Sequence, residues 1–417
     1  MTMRFLLTPV GSSGDMHPFA GLARALGTRG HEVIILGAEP HRATAERSGS
    51  RFVSTFTAAE YHEATHDPDL WHPRRGLRKI MAMSAQGLDR SWQAIEEHYL
   101  SGRTVLVGHP LAFATRAFEE KTGAAAATIH LAPSSLRSAH QVPALPSGVD
   151  ISGLPRWFKR ALWRAVDRIG IDPLILPALN RFRAGHGLPP VHRIFKDWIN
   201  SPRCTVGLFP EWFGPRQPDW PGHFHHASFP LWDDPESAPM DHALTQFLAA
   251  GSPPIVFTPG TANRQAGAFF GAAAEAITRL GQRALFLTGY PEQLPTGLPD
   301  TIVHRDYAPL SAVLPRSAAL VHHGGIGTLA QGFAAGVPQL MMPMGFDQPD
   351  NALRATRLGV ARWLAPNRFT AARVAGSLDA LLRDERVRRA AAEHRDRVRS
   401  ANGIGMACEV LERVALG

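Results

Sequence analysis

The chain has 417 residues, of which 44% are hydrophobic and 19% charged, a formal net charge of +8 and two cysteines. That length exceeds one typical domain and suits two of about 200 residues, and the composition excludes a disordered or low-complexity protein. Cys204 and Cys408 give neither a disulfide framework nor a metal-ligand spacing. No apolar run approaches the roughly 18 residues that span a bilayer, and Met1 to Pro9 lacks the form of a signal peptide. A soluble protein of a reducing cytoplasm is expected, at most peripheral to a membrane. The positive charge favours anionic partners such as nucleotides. Nucleic acid is not expected, because zinc-finger spacing, an RRM signature and dense Lys/Arg tracts are all missing.

Phe5 to Leu7 reads as a short buried strand, Pro9 to Gly14 as a turn, and Phe19 to Arg29 as a helix stopped by Gly30. Val33 to Leu36, Thr104 to Val107 and Ala126 to His130 continue the strands of a parallel sheet. From Val142 to Trp220 the spacing turns helical, and prolines and tryptophans increase. Leu154 to Ile169 forms a basic amphipathic helix, with Phe158, Leu162, Val166 and Ile169 on one face. That face either packs on the first domain or rests on an anionic membrane or amphiphilic acceptor. A second alternation begins with strand Pro254 to Thr258, helix Ala268 to Leu280 and strands Arg283 to Thr288 and Thr301 to His304. The fold class predicted is α/β, with two Rossmann-like halves and a cleft between them. The divisions expected are 1–230, a linker over 231–250, a second domain over 251–400 and a final helix over 401–417.

The most informative segment follows strand Ala318 to Val321. His322-His323-Gly324-Gly325-Ile326-Gly327-Thr328 opens a helix that closes at Gly336. A glycine turn at a helix N-terminus presents backbone N–H groups and the positive end of a helix dipole, which suits a phosphate. Strand Gln339 to Met342 then leads to Asp347-Gln348, acceptor-type side chains for sugar hydroxyls. Gly260 and Thr261, after strand Pro254 to Thr258, offer further N–H groups to an anion. Tyr307 either lies against a nucleobase, worth about 1–3 kcal/mol in stacking, or belongs to the core.

The first turn, Gly11-Ser12-Ser13-Gly14-Asp15-Met16-His17-Pro18, lacks the full GxGxxG dinucleotide fingerprint. Asp15 enters the following helix facing the cleft. It serves there either as a general base or as a helix cap worth about 1 kcal/mol. His17 is open in the same way between an acceptor contact and the surface. Trp71, Trp92 and Phe113 are candidates for an apolar acceptor pocket, or for core. Asp67-Pro68-Asp69 is the only acidic triplet of metal-motif form and lies away from the cradle, so no metal is expected.

His322 to Thr328, Ala334 to Gln339 and Asp347-Gln348 with Asn351-Ala352 resemble the donor box of family 1 glycosyltransferases. Gly11 to Pro18 resembles a variant of their first loop. Asp67 to Trp71, Ala132 to Ser135, Arg193 to Phe195, Leu208 to Pro210 and Phe229 to Leu231 resemble the rhamnolipid-type rhamnosyltransferases among them. The resemblance implies a GT-B fold, two Rossmann-like domains facing each other across a cleft, with the last helix crossing back onto the first. It implies Asp15 as base, His323 at the diphosphate, Gly325, Gly327 and Thr328 in the phosphate turn, and Asp347 and Gln348 on the sugar. His322 stays eligible for the phosphate beside His323. Where many relatives carry an Asp that orients a catalytic histidine, this chain has Gly108-His109-Pro110, and whether His109 assists Asp15 is left open.

The reaction implied is inverting and metal-independent, with no cofactor beyond the co-substrate. A dTDP- or UDP-linked rhamnose or glucose would pass to a hydroxyl of a lipid-like or other small amphiphilic acceptor. The alternatives are a nucleotide-sugar epimerase of the same fold and a non-catalytic helper protein. A nicotinamide dehydrogenase using Gly11, Gly14 and Glu39 would leave the second half of the chain without a role.

Overall fold

The computed structural model describes residues 2–71, 75–144, 151, 153–232, 240–261 and 263–416. The chain divides into two compact units. The first comprises Met1–Pro143, Asp150–Trp232 and Asn402–Gly417, the second Ala144–Val149 and Asp233–Ala401.

The first unit holds seven parallel strands: β1 (Arg4–Thr8), β2 (Glu32–Ala38), β3 (Arg51–Phe56), β4 (Thr104–Gly108), β5 (Ala125–His130), β6 (Thr205–Gly207) and β7 (Phe224–His226). Their order is β3-β2-β1-β4-β5-β6-β7. The central strands are apolar through their middle residues, as strands covered on both faces are, and β4 is buried at every residue. The order reverses between β1 and β4, paired Thr8 to Gly108, so the loops after these two strands diverge and leave a crevice at their carboxyl ends.

The second unit repeats the plan with six parallel strands: β8 (Ile255–Thr258), β9 (Ala284–Leu287), β10 (Ile302–Arg305), β11 (Ala319–His322), β12 (Gln339–Met341) and β13 (Ala361–Trp363). Their order, β10-β9-β8-β11-β12-β13, reverses between β8 and β11, where Thr258 pairs with His322. The loop carrying Gly260 and the loop carrying His323 therefore leave adjacent strands side by side.

Several expectations change. The first helix starts at Ser13, not Phe19, because Ser12 and Asp15 form a capping box that fixes its start. The helix then carries Pro18 in its second turn. Within the stretch read as a linker, 231–250, residues 233–239 lie outside the described residues, and His242–Ala249 is a helix with Leu244 and Leu248 in the second unit's core. The amphipathic helix spans Arg156–Ala165 and widens into a π turn at Val166–Ile171. The wider turn breaks the single apolar stripe: Leu162 and Val166 are half-buried, whereas Phe158 and Ile169 are exposed. Both cysteines are buried and unpaired, and burial pushes each thiol up to about 12. Among the described residues no helix is long and apolar enough to cross a membrane.

Candidate active site

In the first unit the loop after β1 is built around Asp15. Ser12 caps the helix Ser13–Thr28, and Asp15, at its third position, reaches back. One carboxylate oxygen, Oδ2, accepts from Ser12 N at 2.7 Å and from Ser12 Oγ at 3.2 Å. The N-cap is Ser12 rather than Asp15, which stands at the third helical position and closes the capping box. Burial nevertheless dominates its titration: desolvation lifts the carboxyl from 3.8 to about 6, against the Ser12 bonds that pull it down. Gly11, at φ +138°, lies so close that a Cβ there would run into the Asp15 carboxylate.

His41 completes this corner and had no signal in the sequence, since an isolated histidine after β2 carries no motif. It is buried, its Nε2 is 3.4 Å from Gly11 O, and burial holds its pKa below the usual histidine value. His17 is half-buried, edge-on to Trp232 with ring centroids 5.6 Å apart. A cavity of about 90 Å³ opens beside the loop. Its wall includes Gly11, Ser12 and Met16 around Asp15, with His41, Tyr61 and Phe113. The remainder is largely apolar.

Of the acceptor candidates, Phe113 lines this cavity and Trp92 does not. Trp92 is core, packed on Phe118 and Phe182 and stacked on His186 at 3.8 Å. Its spacing in the helix Leu88–His98 faces the sheet. Trp71 ends the short turn Pro68–Trp71, and its side chain lies outside the described residues. His109 sits just beyond β4, but its Nδ1 accepts from Leu111 N at 3.2 Å and it is not in the cavity wall. Desolvation, with the neighbouring His130, lowers it to about 3, so it is neutral at physiological pH. Asp67 and Asp69 are engaged by Lys79 at 2.5 Å and Arg75 at 3.0 Å.

His322 and His323 of the second unit are held in different ways. His322 is fully buried, its Nε2 donates to Gln339 Oε1 at 3.0 Å, and its Nδ1 accepts from Gly324 N at 3.1 Å. Burial drives it down to about 3, which keeps this neutral tautomer. His322 is therefore the residue that locks the turn, and with both ring nitrogens occupied it does not reach a phosphate. We expect His322→Leu to lower stability by about 1–3 kcal/mol, the cost of leaving Gln339 and Gly324 N without a partner. Chemical denaturation measures it.

His323 points the other way. Its ring lies over Gly260, where a Cβ would come within 2.8 Å of it, and over Gly325, where a Cβ would collide with Nε2. Its Nδ1 has no hydrogen-bond partner, and burial holds it at about 4, a neutral imidazole. Gly325 is the N-cap of the helix Ile326–Ala335, so Gly327 and Thr328 fall in its first turn. Positive φ at Gly260 (+93°) and Gly324 (+91°) shapes the two loops.

Asp347 precedes the helix Gln348–Arg357, and its Oδ2 accepts from Asn351 Nδ2 at 2.7 Å. The same amide donates to Gly324 O at 3.0 Å, tying the loop after β12 to the turn after β11. Gln348 Oε1 accepts from Met344 N and Gly345 N, which folds the intervening loop. Phe346 in that loop is held at φ +58° and is exposed. Tyr307 is half-buried after β10, and Thr261 O accepts from Tyr290 OH at 3.5 Å. The second unit so brings together Gly260, Thr261, His323, Gly325, Gly327, Thr328, Asp347 and Gln348 on loops of the β8, β11 and β12 ends.

Residues 288–410 match the family described as erythromycin biosynthesis protein CIII-like, C-terminal domain. The chain is 31% identical over 428 residues to O-mycaminosyltylonolide 6-deoxyallosyltransferase of Streptomyces fradiae, covering 99% of this chain and 98% of that one. Among solved structures, the glycotransferase of kitacinnamycin superposes with a TM-score of 0.78 at 20% identity, over all of both chains. The spinosyn rhamnosyltransferase SpnG complexed with thymidine diphosphate gives 0.70 at 19% identity, over 98% of this chain and 100% of that one. The fold is GT-B, and the chain belongs to the family 1 glycosyltransferases, with antibiotic glycosyltransferases among its relatives. It is an enzyme that moves a sugar from a nucleotide-sugar donor to a small acceptor. These relatives give no support to a particular kinship with rhamnolipid enzymes.

Proposed function

We propose that the protein transfers a deoxyhexose from a dTDP-sugar to a hydroxyl of an apolar, macrolide-like aglycone, with inversion and without a metal. The observation that carries this is the placement of Asp15, a carboxyl lifted to about 6, beside a largely apolar cavity. A carboxylate of that basicity is half-ionised near pH 6 and takes a proton from a hydroxyl as it attacks. The apolar wall suits an aglycone whose reacting hydroxyl is its polar tip. Asp15 Oδ2 is held by Ser12, so the proton goes to Oδ1.

The acceptor oxygen bonds to the anomeric carbon as the bond from that carbon to the diphosphate oxygen breaks, and the electron pair leaves with dTDP. A single displacement inverts the centre. The departing diphosphate is met by the N–H groups of the helix at Gly325 and by His323. His323 is neutral in the empty site, and a bound diphosphate stabilises its protonated form, which gives the leaving group a charge-assisted hydrogen bond. Asp347 and Gln348 serve the sugar hydroxyls, and Tyr307 the base. The deoxyhexose and the macrolide follow the name of the Streptomyces relative, and dTDP follows the ligand of the spinosyn enzyme.

The test is a panel of dTDP- and UDP-sugars offered with macrolide aglycones and hydroxy fatty acid esters, with EDTA present and transfer followed by mass spectrometry. Transfer of a dTDP-deoxyhexose to a macrolide in EDTA is the expected result. Transfer only after divalent metal is restored would overturn metal independence. Transfer only to the fatty ester would overturn the acceptor class.

A further inference from the structure

Residues 154–169 of the first unit carry four of the eight exposed large apolar side chains among the described residues: Leu154, Trp157, Phe158 and Ile169. Trp157 is 71% exposed and Ile169 78%, values that leave nearly the whole side chain in water. The same segment carries Arg156, Arg160, Arg164 and Arg168, all exposed and none with an ion-pair partner among the described residues. The one acid between them, Asp167, is buried and bonded to Arg137 at 2.9 Å. Arg168 lies in the π turn, and Arg156, Arg160 and Arg164, four apart at 3.6 residues per turn, form a stripe along the α-helical part. Trp157 and Phe158 stand on the sector beside it.

The inner side of this helix is what holds it to the fold. Lys159 is buried and donates to His140 O at 3.2 Å, and Trp163 Nε1 donates to Ser138 O at 2.9 Å. The Arg137 guanidinium lies 3.8 Å over the Trp163 ring. Folding is therefore complete without the outer face, and exposing so much apolar surface opposes solubility unless something covers it. The outer face has an apolar sector that includes a tryptophan and lies beside long cationic side chains. That is the pattern of a helix lying in the headgroup region of a bilayer, with the rings among the acyl chains and the guanidinium groups on phosphates.

The geometry points to this face as a docking surface for membranes rich in anionic lipid. The absence of exposed acids on the face and the presence of four unpaired arginines select an anionic over a neutral surface. This inference does not depend on the identity of donor or acceptor.

The experiment is co-sedimentation of the full-length protein with vesicles of phosphatidylcholine alone, or of equal parts phosphatidylcholine and phosphatidylglycerol, at low and high salt. The protein is expected to sediment with the mixed vesicles and not the neutral ones, and to be released by salt. Arg160→Gln with Arg164→Gln is expected to weaken partitioning about thirtyfold. Trp157→Ser with Ile169→Ser is expected to abolish sedimentation. Glycosyl transfer to a soluble acceptor stays at the parent level in both variants, which shows that they are folded. Failure to sediment with either vesicle, equal binding to both, or binding indifferent to the substitutions would overturn the proposal. So would concentration-dependent self-association that Trp157→Ser removes without any vesicle binding, since the face would then seat a second copy of the chain.

Discussion

Asp15→Asn is expected to lower kcat by about a hundredfold or more, the range a positioned general base supplies, while the dissociation constant for dTDP stays unchanged. The two quantities separate because Asp15 stands in the first unit, whereas His323 and Gly325, proposed to meet the diphosphate, stand in the second. Asn keeps the shape and still accepts from Ser12 N, so the helix start survives and only the basic oxygen is lost. The parent enzyme should show an acidic limb in kcat/KM with a midpoint near 6, where the carboxylate becomes protonated. The variant should lack that limb. Stability runs in the opposite sense. A carboxyl raised from 3.8 to about 6 favours folding fully below 3.8, and this contribution is lost as pH rises through 6. Asp15→Asn removes the cost of holding the ionised form, so at pH 8 the variant should melt no lower than the parent. A variant with near-parental turnover, or one that loses activity only by unfolding, would remove Asp15 from the chemistry.

The second large effect is expected at the cradle. His323→Ala should raise the dissociation constant for dTDP by about tenfold to a hundredfold, the worth of one charge-assisted hydrogen bond. Gly325→Ala should do nearly as much for a different reason. Gly325 has φ −61° and ψ 140°, which alanine adopts without strain, so the new methyl acts only by displacing the His323 ring. In the double variant the methyl has nothing left to displace, and the two effects should not add beyond a few tenths of a kcal/mol for the poorer cap. Calorimetric titration of dTDP into the four proteins decides it. Additive losses would mean that His323 and Gly325 bind the diphosphate separately.

The parts of the molecule open to sequence reading were those governed by one local rule. Strands such as Ile255–Thr258 and Ala319–His322 are short apolar runs ended by glycine, and they were found within a residue or two. The glycine turn after β11 was legible for the same reason, because glycines, helix start and Asp347-Gln348 lie within 30 residues of one another in the chain. What depended on distant partners was not legible. Nothing in His322-His323 says which ring faces inward, because the deciding partner is Gln339, and room for the Gln339 side chain is left by Gly332. Trp92 and Phe113 looked alike as aromatics of the first half, yet one stacks on His186 in the core and the other lines the cavity. His41 joined the Asp15 corner through a parallel strand pairing that its neighbours in sequence do not announce. The pair Ser12 and Asp15 is also a local signal, a capping box that puts the helix start at Ser13 rather than Phe19.

The helix Gly403–Ala415 follows some 170 residues of the second unit, yet it belongs to the first. Gly403 lies against the backbone of Ser228 and Phe229, Ile404 against Gly21, and Glu412 accepts from Arg29 at 2.8 Å. The first unit is therefore written in three pieces, and the main stretch of the second, Asp233–Ala401, is inserted before the last of them. On the ribosome its sheet must wait for residues 403–415 before that flank is covered, after the second unit has already emerged. The same arrangement sets the rule for recombining halves of related enzymes to change the sugar. The second unit should be exchanged as an insert ending near Ala401, because a single crossover would pair the first unit with a foreign helix and lose the contacts to Gly21 and Arg29.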